Sequence, residues 1–386
     1  SCAAARRNGR CGLEQEVTIM NDVSRRSFIA QTATVAAAAP LLASSLSKAA
    51  AESPKKKLGF ALCGLGSLST HQIAPALQKT KNCRLAGIIT GTPAKAEEWS
   101  AKYNIPKKNI YSYETMSKMA DNPDIDVVYV VPPNALHARD TIAAAKAGKH
   151  VFCEKPMEIS TEKCEQMIDA CKQANRMLGI GYRCQFEPNH LECVRLARSK
   201  EFGDLRIIQG GFGFQIGDPA QWRLHKALSG GGALMDVGIY VLQTSRMLTG
   251  EEPISVFAAE TKTDRQKFAE VDETITWQAK FPSGVIANCT TTFKVNGLQG
   301  FRAFAEKGWF GLDPAYFYNG IHGVRSDGKE INIHQDDQFA AEMDDFAQCI
   351  MDKRQSKVSG EEGLRDVRIL MAIYESVRTG KEVKLG

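Results

Sequence analysis

Along residues 58–182, short uninterrupted apolar runs alternate with segments in which apolar residues recur every three or four positions. The runs fall at 58–63, 84–90, 126–131, 150–153 and 177–182, and the third contains VVYVV. Helical spacing follows the first run through Gln72, Ile73, Ala76 and Leu77, and returns at 94–103, 135–147 and 161–175. Fully apolar strands alternating with helices predict a parallel sheet covered on both faces. After residue 184 the pattern changes. Longer strands are predicted in succession at 205–214, 254–263, 273–281, 285–294 and 301–312. Thr274, Thr276, Gln278 and Lys280 alternate there with Ile275, Trp277, Ala279 and Phe281, the period-two signature of an antiparallel strand. Phe281-Pro282-Ser283-Gly284 reads as a hairpin turn. A helical segment at 232–248 interrupts the strands, and helices at 338–352 and 361–379 close the chain. The expected fold class is therefore α/β. A doubly wound Rossmann domain spans 52–183. An α+β domain with an open, mainly antiparallel sheet spans 184–340, and C-terminal helices over 341–386 pack back between them.

The first 51 residues follow neither pattern. Met20-Asn21-Asp22-Val23-Ser24-Arg25-Arg26 is a short basic lead, Phe28 and Ile29 follow the arginine pair, and an alanine-rich run carries no charge until Lys48. This reads as a twin-arginine signal with a small-residue cleavage site at Ala49–Ala51, so export of the folded chain to the periplasm is expected. Residues 1–19, ahead of a plausible start methionine, are expected to carry no structure.

Composition is that of an ordinary globular protein, with 43% hydrophobic and 24% charged residues among 386. Lys and Arg number 49 against 44 Asp and Glu, and residues 1–51 hold six of the former and three of the latter. The remainder is nearly neutral, which excludes nucleic acid as a main partner. The eleven cysteines include no Cys-x-x-Cys pair, and Cys63, Cys153 and Cys289 sit in apolar runs. They read as buried thiols of a chain that folds in a reducing compartment before export. The seven histidines form no ligand cluster, so no metal site is expected.

Chemistry concentrates at strand ends. Gly64-Leu65-Gly66-Ser67-Leu68-Ser69 follows the first strand and opens a helix, as a dinucleotide-binding turn must. Enzymes selecting NAD place an acid near the end of the second strand; here Thr90, Gly91, Thr92 and Lys95 stand there instead. Hydroxyls and a lysine suit a 2′-phosphate, which favours NADP over NAD. Cys153-Glu154-Lys155-Pro156 ends a strand at the ligand-binding side of the sheet. Asp236 and Tyr240 lie four apart behind Gly230-Gly231-Gly232 and should share one helical face. Lys155, Asp236 and Tyr240 together suit hydride transfer from a carbinol: Tyr240 takes the hydroxyl proton, and Lys155 holds the oxygen and lowers the tyrosine pKa.

The stretches GLGSLS (64–69), PPNALHA (132–138), AGKHVFCEKPM (147–157), IGYRC (180–184), DPAQWRL (218–224) and GGGALMDVGIY (230–240) resemble the glucose-fructose oxidoreductase/inositol dehydrogenase (Gfo/Idh/MocA) family. The resemblance spans nearly all of 58–386 and is strongest to the glucose-fructose branch, which has Tyr where many members have His at position 240. It implies a Rossmann domain joined to an open antiparallel sheet, and assigns Lys155 and Asp236 to the family's catalytic motifs. It also places Pro132, Asn134, His137 and Glu154 with Gly64–Leu68 around the cofactor, and Tyr182, Arg183, Trp222 and Arg223 with Lys155, Asp236 and Tyr240 around a sugar. It does not extend to that branch's long arm after the signal, because only residues 52–57 precede the first strand here.

An exported enzyme meets no free NADP. The expected activity is therefore oxidation of an aldose to a lactone coupled to reduction of a second sugar on one retained NADP. The alternatives are a periplasmic sugar dehydrogenase or reductase with exchangeable NAD(P), an NAD-dependent glycosidase of the same fold, and a non-catalytic sugar-binding protein. An open sheet face needs a cover, so a homodimer or homotetramer through it is expected.

Overall fold

The computed structural model describes residues 57–386; the twin-arginine segment lies outside the described residues. Six strands form a parallel sheet: β1 (Leu58–Cys63), β2 (Cys83–Ile89), β3 (Ile110–Tyr111), β4 (Val127–Val130), β5 (His150–Glu154) and β6 (Leu178–Gly181). Their order, β3-β2-β1-β4-β5-β6, is doubly wound. Strand order reverses between β1 and β4, and the crevice above that point is where such sheets bind ligands. The fully apolar runs are buried along their length: Phe60, Leu62, Val127, Val128, Tyr129 and Val130 are inaccessible to solvent. Helices α1 (Ala74–Leu77), α2 (Pro93–Tyr103), α3 (His137–Lys146) and α4 (Thr161–Gln173) connect the strands.

Nine further strands form the second sheet: β7 (Leu205–Gly213), β8 (Ser255–Thr261), β9 (Thr274–Lys280), β10 (Ile286–Thr292), β11 (Gln299–Ala305), β12 (Gly308–Leu312), β13 (Gly323–Arg325), β14 (Glu330–Ile331) and β15 (Val383–Lys384). The order is β14-β13-β12-β11-β7-β10-β9-β8-β15. All neighbours are antiparallel except β7 and β10, so the sheet is mixed. On β9, Ile275, Trp277 and Ala279 face inward, and Thr276, Gln278 and Lys280 outward. The single strand expected at 301–312 is a hairpin instead. Ala305 pairs with Gly308 across Glu306-Lys307; the apolar alternation runs through both arms, and neither central turn residue is a strong turn former.

Helix α5 (Pro188–Arg198), absent from the sequence reading, begins with proline in its first turn, and the Glu187 side chain caps the Asn189 and His190 amides. α6 (Lys226–Ser229) precedes a π-helical turn, Leu234–Gly238, which continues into α7 (Ile239–Thr249). The glycines before it serve close packing: a Cβ on Gly231 would lie 1.9 Å from the Tyr374 hydroxyl, and one on Gly232 2.0 Å from the Asp272 carbonyl. The Asp272 carboxylate accepts from the amides of Gly232 and Leu234 and so fixes the start of this segment. α8 (Gln338–Asp352) packs on α1 and β2, and α9 (Gly360–Thr379) touches α4, β6 and β8.

α7 and α9 are joined through Arg246, which is 6% exposed. It pairs with Glu252 at 2.6 Å, Glu362 at 2.8 Å and Asp366 at 2.6 Å. Burial, opposed by Arg246, pushes the Asp366 carboxyl up to about 6. A folded-state pKa above the ordinary carboxylate value adds most stability at acid pH and loses it as pH rises through about 6. Arg246→Met strands the buried Asp366 and the part-buried Glu362 and should cost about 3 kcal/mol at neutral pH. The loss shrinks towards pH ~5 as Asp366 takes up a proton; urea denaturation at both pH values checks this.

Candidate active site

A cavity of about 570 Å³ opens above the β1/β4 crevice. The turn after β1 forms one wall with Gly64, Leu65, Gly66, Ser67 and Leu68. Thr90, Thr92 and Lys95 come from the end of β2, Pro132, Asn134 and His137 from beyond β4, and Glu154 and Lys155 from the end of β5. The second region adds Trp222, Arg223 and Asp236. All thirteen residues expected around the cofactor thus line one cavity.

The turn is shaped for a dinucleotide. Gly64 has φ +95°, and a Cβ there would press on the Pro132 nitrogen at 2.9 Å. A Cβ on Gly66 would meet no protein atom within 4 Å, which leaves room for a pyrophosphate against the backbone. Ser69, in the usual place of a third glycine, is buried and donates its hydroxyl to the Gly64 carbonyl at 2.6 Å. Lys95 reaches across to the Leu65 carbonyl at 3.0 Å. Among the described residues no carboxylate lines the cavity at the end of β2. Arg139 and Tyr113, not anticipated from sequence, line it instead, the guanidinium 5.0 Å from the ring centroid and held by Asp140. The signal was a cation directly after PPNALHA, in the first turn of α3, together with a second-strand end without acid. Gly64→Ala should destabilise the fold by about 1–3 kcal/mol. Gly66→Val should leave the melting temperature unchanged and weaken dinucleotide binding at least ~100-fold, because only the cavity is filled; calorimetry on both variants separates the two effects.

Asn134 and His137 lock the far wall. Asn134 donates to the Ser229 carbonyl at 2.9 Å. The His137 ring is clamped between the Pro156 and Pro132 carbonyls at 3.0 and 2.9 Å, and burial lowers its pKa.

The reacting end is built on Lys155. Its ammonium donates to the Asp236 carbonyl at 2.9 Å and lies 3.7 Å from the Asp236 carboxylate. It also stands 4.8 Å from the centroid of the Tyr240 ring. Arg223 donates to the other Asp236 oxygen at 2.9 Å and stacks on Trp222. Burial raises the Asp236 carboxyl, but Arg223 and Lys155 outweigh it and hold the group below the usual range.

Three expectations change. The Lys155 ammonium faces the Tyr240 ring, not its oxygen, and burial pushes the Tyr240 phenol well above its ordinary value despite Arg183. Tyr240 is therefore held as a phenol, contrary to the lowered pKa expected. Arg183 does not reach a sugar site: it is 3% exposed and donates to the Phe317 and Tyr316 carbonyls, Gln338 and the Tyr240 hydroxyl. It positions Tyr240. Tyr182 is also buried, on a small apolar recess with Lys155 and Tyr240, behind the main cavity.

Among the described residues no group of three or more His, Cys, Asp or Glu is placed to hold a metal, and no helix is long and apolar enough to cross a membrane. Comparison with known families matches residues 58–182 to the oxidoreductase family with NAD-binding Rossmann fold, Gfo/Idh/MocA. Residues 190–311 match that family's C-terminal domain, and 330–385 the oxidoreductase-family C-terminal alpha/beta domain.

The chain belongs to the Gfo/Idh/MocA oxidoreductase family.

It is 31% identical to D-xylose 1-dehydrogenase [NADP(+)] of Haloarcula marismortui over 84% of this chain and 92% of that protein. It is 29% identical to D-xylose 1-dehydrogenase (NADP(+)) 2 of Haloferax volcanii, over 84% and 99%. Its structure resembles that of an aldose-aldose oxidoreductase from Caulobacter crescentus complexed with glycerol, with TM-score 0.83 and 44% identity over 86% of this chain and all of that one. The family relation makes this Gfo/Idh/MocA member an enzyme of CH–OH oxidation and reduction working with a nicotinamide dinucleotide.

Proposed function

We propose that the protein oxidises an aldose to its lactone and reduces a second sugar on one retained NADP. The observation that carries the reading is Lys155 poised between Asp236 and Tyr240 where the dinucleotide cavity meets the second region. The acid-free end of β2, with Thr92 and Lys95, supports NADP, as do the NADP-dependent relatives. The 44% identity to an aldose-aldose oxidoreductase supports two sugars as substrates.

When bound, the dinucleotide supplies the hydride acceptor and donor. The chain supplies orientation and charge. One proton of the Lys155 ammonium is committed to the Asp236 carbonyl; the others are available to a substrate oxygen and stabilise negative charge developing on it. Asp236, anionic between two cations, accepts from a neighbouring sugar hydroxyl. Arg183 donates to the Tyr240 oxygen at 3.2 Å, so the phenolic proton points elsewhere, ready for the oxygen of a sugar being reduced.

Retention fits the reading that residues 20–51 direct folded export to the periplasm through the twin-arginine machinery. All nine described cysteines are free and buried, which suits folding before export. The outer face of the second sheet, with Phe257 46% and Ile207 42% exposed beside Gln278, Asn288 and Arg302, fits a second copy of the chain. The xylose dehydrogenase relatives favour a second reading, an enzyme with exchangeable NADP. Heat release of nucleotide from protein purified without additives separates the two. Stoichiometric NADP(H) is expected; an empty protein, or NAD, counts against retained NADP.

A further inference from the structure

The catalytic cavity occupies one end of the parallel sheet. At the opposite end, where β5 and β6 begin, a cleft of about 640 Å³ lies between α4, the end of α8 and the start of α9. No step above uses it. The buried Ile168, Cys171 and Leu178 give it an apolar floor. Lys172, Arg176, Lys353 and Arg354 line it against one acid, Glu361. The length of β5, roughly 16 Å, separates it from Lys155.

Two of the four cations are already paired. Lys172 meets Glu361 at 3.0 Å, and Arg354 meets Asp345 at 2.6 Å. Arg176 donates to the Gly148 and Asn175 carbonyls, and among the described residues no carboxylate pairs with it or with Lys353. Neighbouring groups register the excess charge. His150 accepts from the Met177 amide on Nδ1 at 2.9 Å. Its proton therefore sits on Nε2, a donor without a partner among the described residues. Burial, and then Arg176, push the imidazole pKa down to about 4. Burial also lowers the Lys149 ammonium, whose hydrogen bond is to the Asn122 carbonyl; Arg176 acts in the same direction, Asp126 and Asp121 against it. Arg176 thus holds a full charge beside an open cleft without a counter-charge, and an anion from solution would supply one. Asn175 and Gln355 line the same cleft, with amides that make no side-chain hydrogen bond among the described residues.

We propose that this cleft is a second binding site, for a small hydroxylated molecule carrying one oxyanion, a phosphate or a carboxylate. Arg176 and Lys353 supply the charge, Arg176 through the planar donors that match such a group, and His150 adds a neutral donor. Asn175 and Gln355 serve the hydroxyls, and the carbon skeleton lies on Ile168 and Leu178. Two sources share this chemistry. One is phosphate or a phosphate ester. The other is the aldonate formed when a lactone takes up water and loses a proton. That second source rests on the aldose reading above; the oxyanion site does not. A molecule bound here touches α4, the start of β5, the end of α8 and the start of α9 together. It ties the closing helices to the parallel sheet and raises stability without reaching Lys155.

The test uses protein saturated with NADP, so that the dinucleotide cavity is closed to phosphate. Thermal unfolding and titration calorimetry are run with inorganic phosphate and, separately, with gluconate, each against sodium chloride at equal ionic strength. At least one of the two anions is expected to raise Tm above the chloride value and to bind with about one-to-one stoichiometry. Arg176→Met and Lys353→Glu should each weaken that binding at least ~10-fold, while kcat for sugar oxidation stays within about twofold of the wild type. A response to gluconate that the two variants abolish identifies the aldonate as the source; a response to phosphate alone identifies a phosphate. Phosphate and gluconate effects no larger than those of chloride in the wild type, or a response unchanged in Lys353→Glu, overturn the site. Lys353 is exposed at the end of α8 with φ +54°, so Lys353→Gly removes the charge from a backbone that glycine favours. Should Arg176→Met fail to fold, anion binding undiminished in Lys353→Gly and Lys353→Glu overturns the site equally.

Discussion

Replacing Lys155 by methionine lowers kcat/KM for sugar oxidation about 10³–10⁴-fold while the dinucleotide stays bound. Methionine fills most of the lysine volume and still packs against the Tyr240 ring, so the cavity keeps its shape. The loss is that of the charge held 2.9 Å from the Asp236 carbonyl and 3.7 Å from its carboxylate. That charge is the donor fixed where the dinucleotide cavity meets Tyr240. Because Gly64–Leu68 and Thr92 are untouched, nucleotide affinity should change by less than about threefold. A parallel loss of affinity and rate would move Lys155 from the reaction to the cofactor site.

Replacing Tyr240 by phenylalanine should lower kcat about 10²–10³-fold with little change in KM. The ring remains, so Lys155 at 4.8 Å and Arg183 at 4.7 Å keep their aromatic neighbour. Only the hydroxyl and the proton it offers are lost. The pH dependence carries a sign. Burial raises the phenol above its ordinary value of about 10, so the wild type holds the donor form throughout the neutral range. The ratio of wild-type to Tyr240→Phe activity should therefore be constant from pH ~6 to ~9. A ratio that collapses towards the alkaline end would mean that the lysine lowers the phenol after all.

These expectations separate what the chain states locally from what it leaves to folding. The glycine turn was legible because its chemistry is backbone chemistry: Gly64 needs a positive φ, Gly66 leaves space, and both sit next to the strand that positions them. Lys155, Asp236 and Tyr240 were legible as residue types at strand and helix starts. Their mutual geometry was not, because a π-helical turn at Leu234–Gly238 sets it. Arg183 was placed at the substrate by the family resemblance alone, and no local pattern in the sequence points to the partners it has. Its partners Tyr316, Phe317 and Gln338 lie more than 130 residues away. The edge strands β13, β14 and β15, of two or three residues each, are too short for any period to register. The hairpin of β11 and β12 was hidden by a turn whose central residues, Glu306 and Lys307, are not strong turn formers.

The most direct test of retained-cofactor transfer is isotopic. Purified protein, freed of loose nucleotide, receives an aldose carrying deuterium at C1 together with an unlabelled second sugar. Deuterium is expected in the reduced sugar, in one-to-one amount with the lactone and undiluted by added unlabelled NADPH. Lactone formation only when free NADP is supplied, with the label diluted into the nucleotide pool, would contradict it.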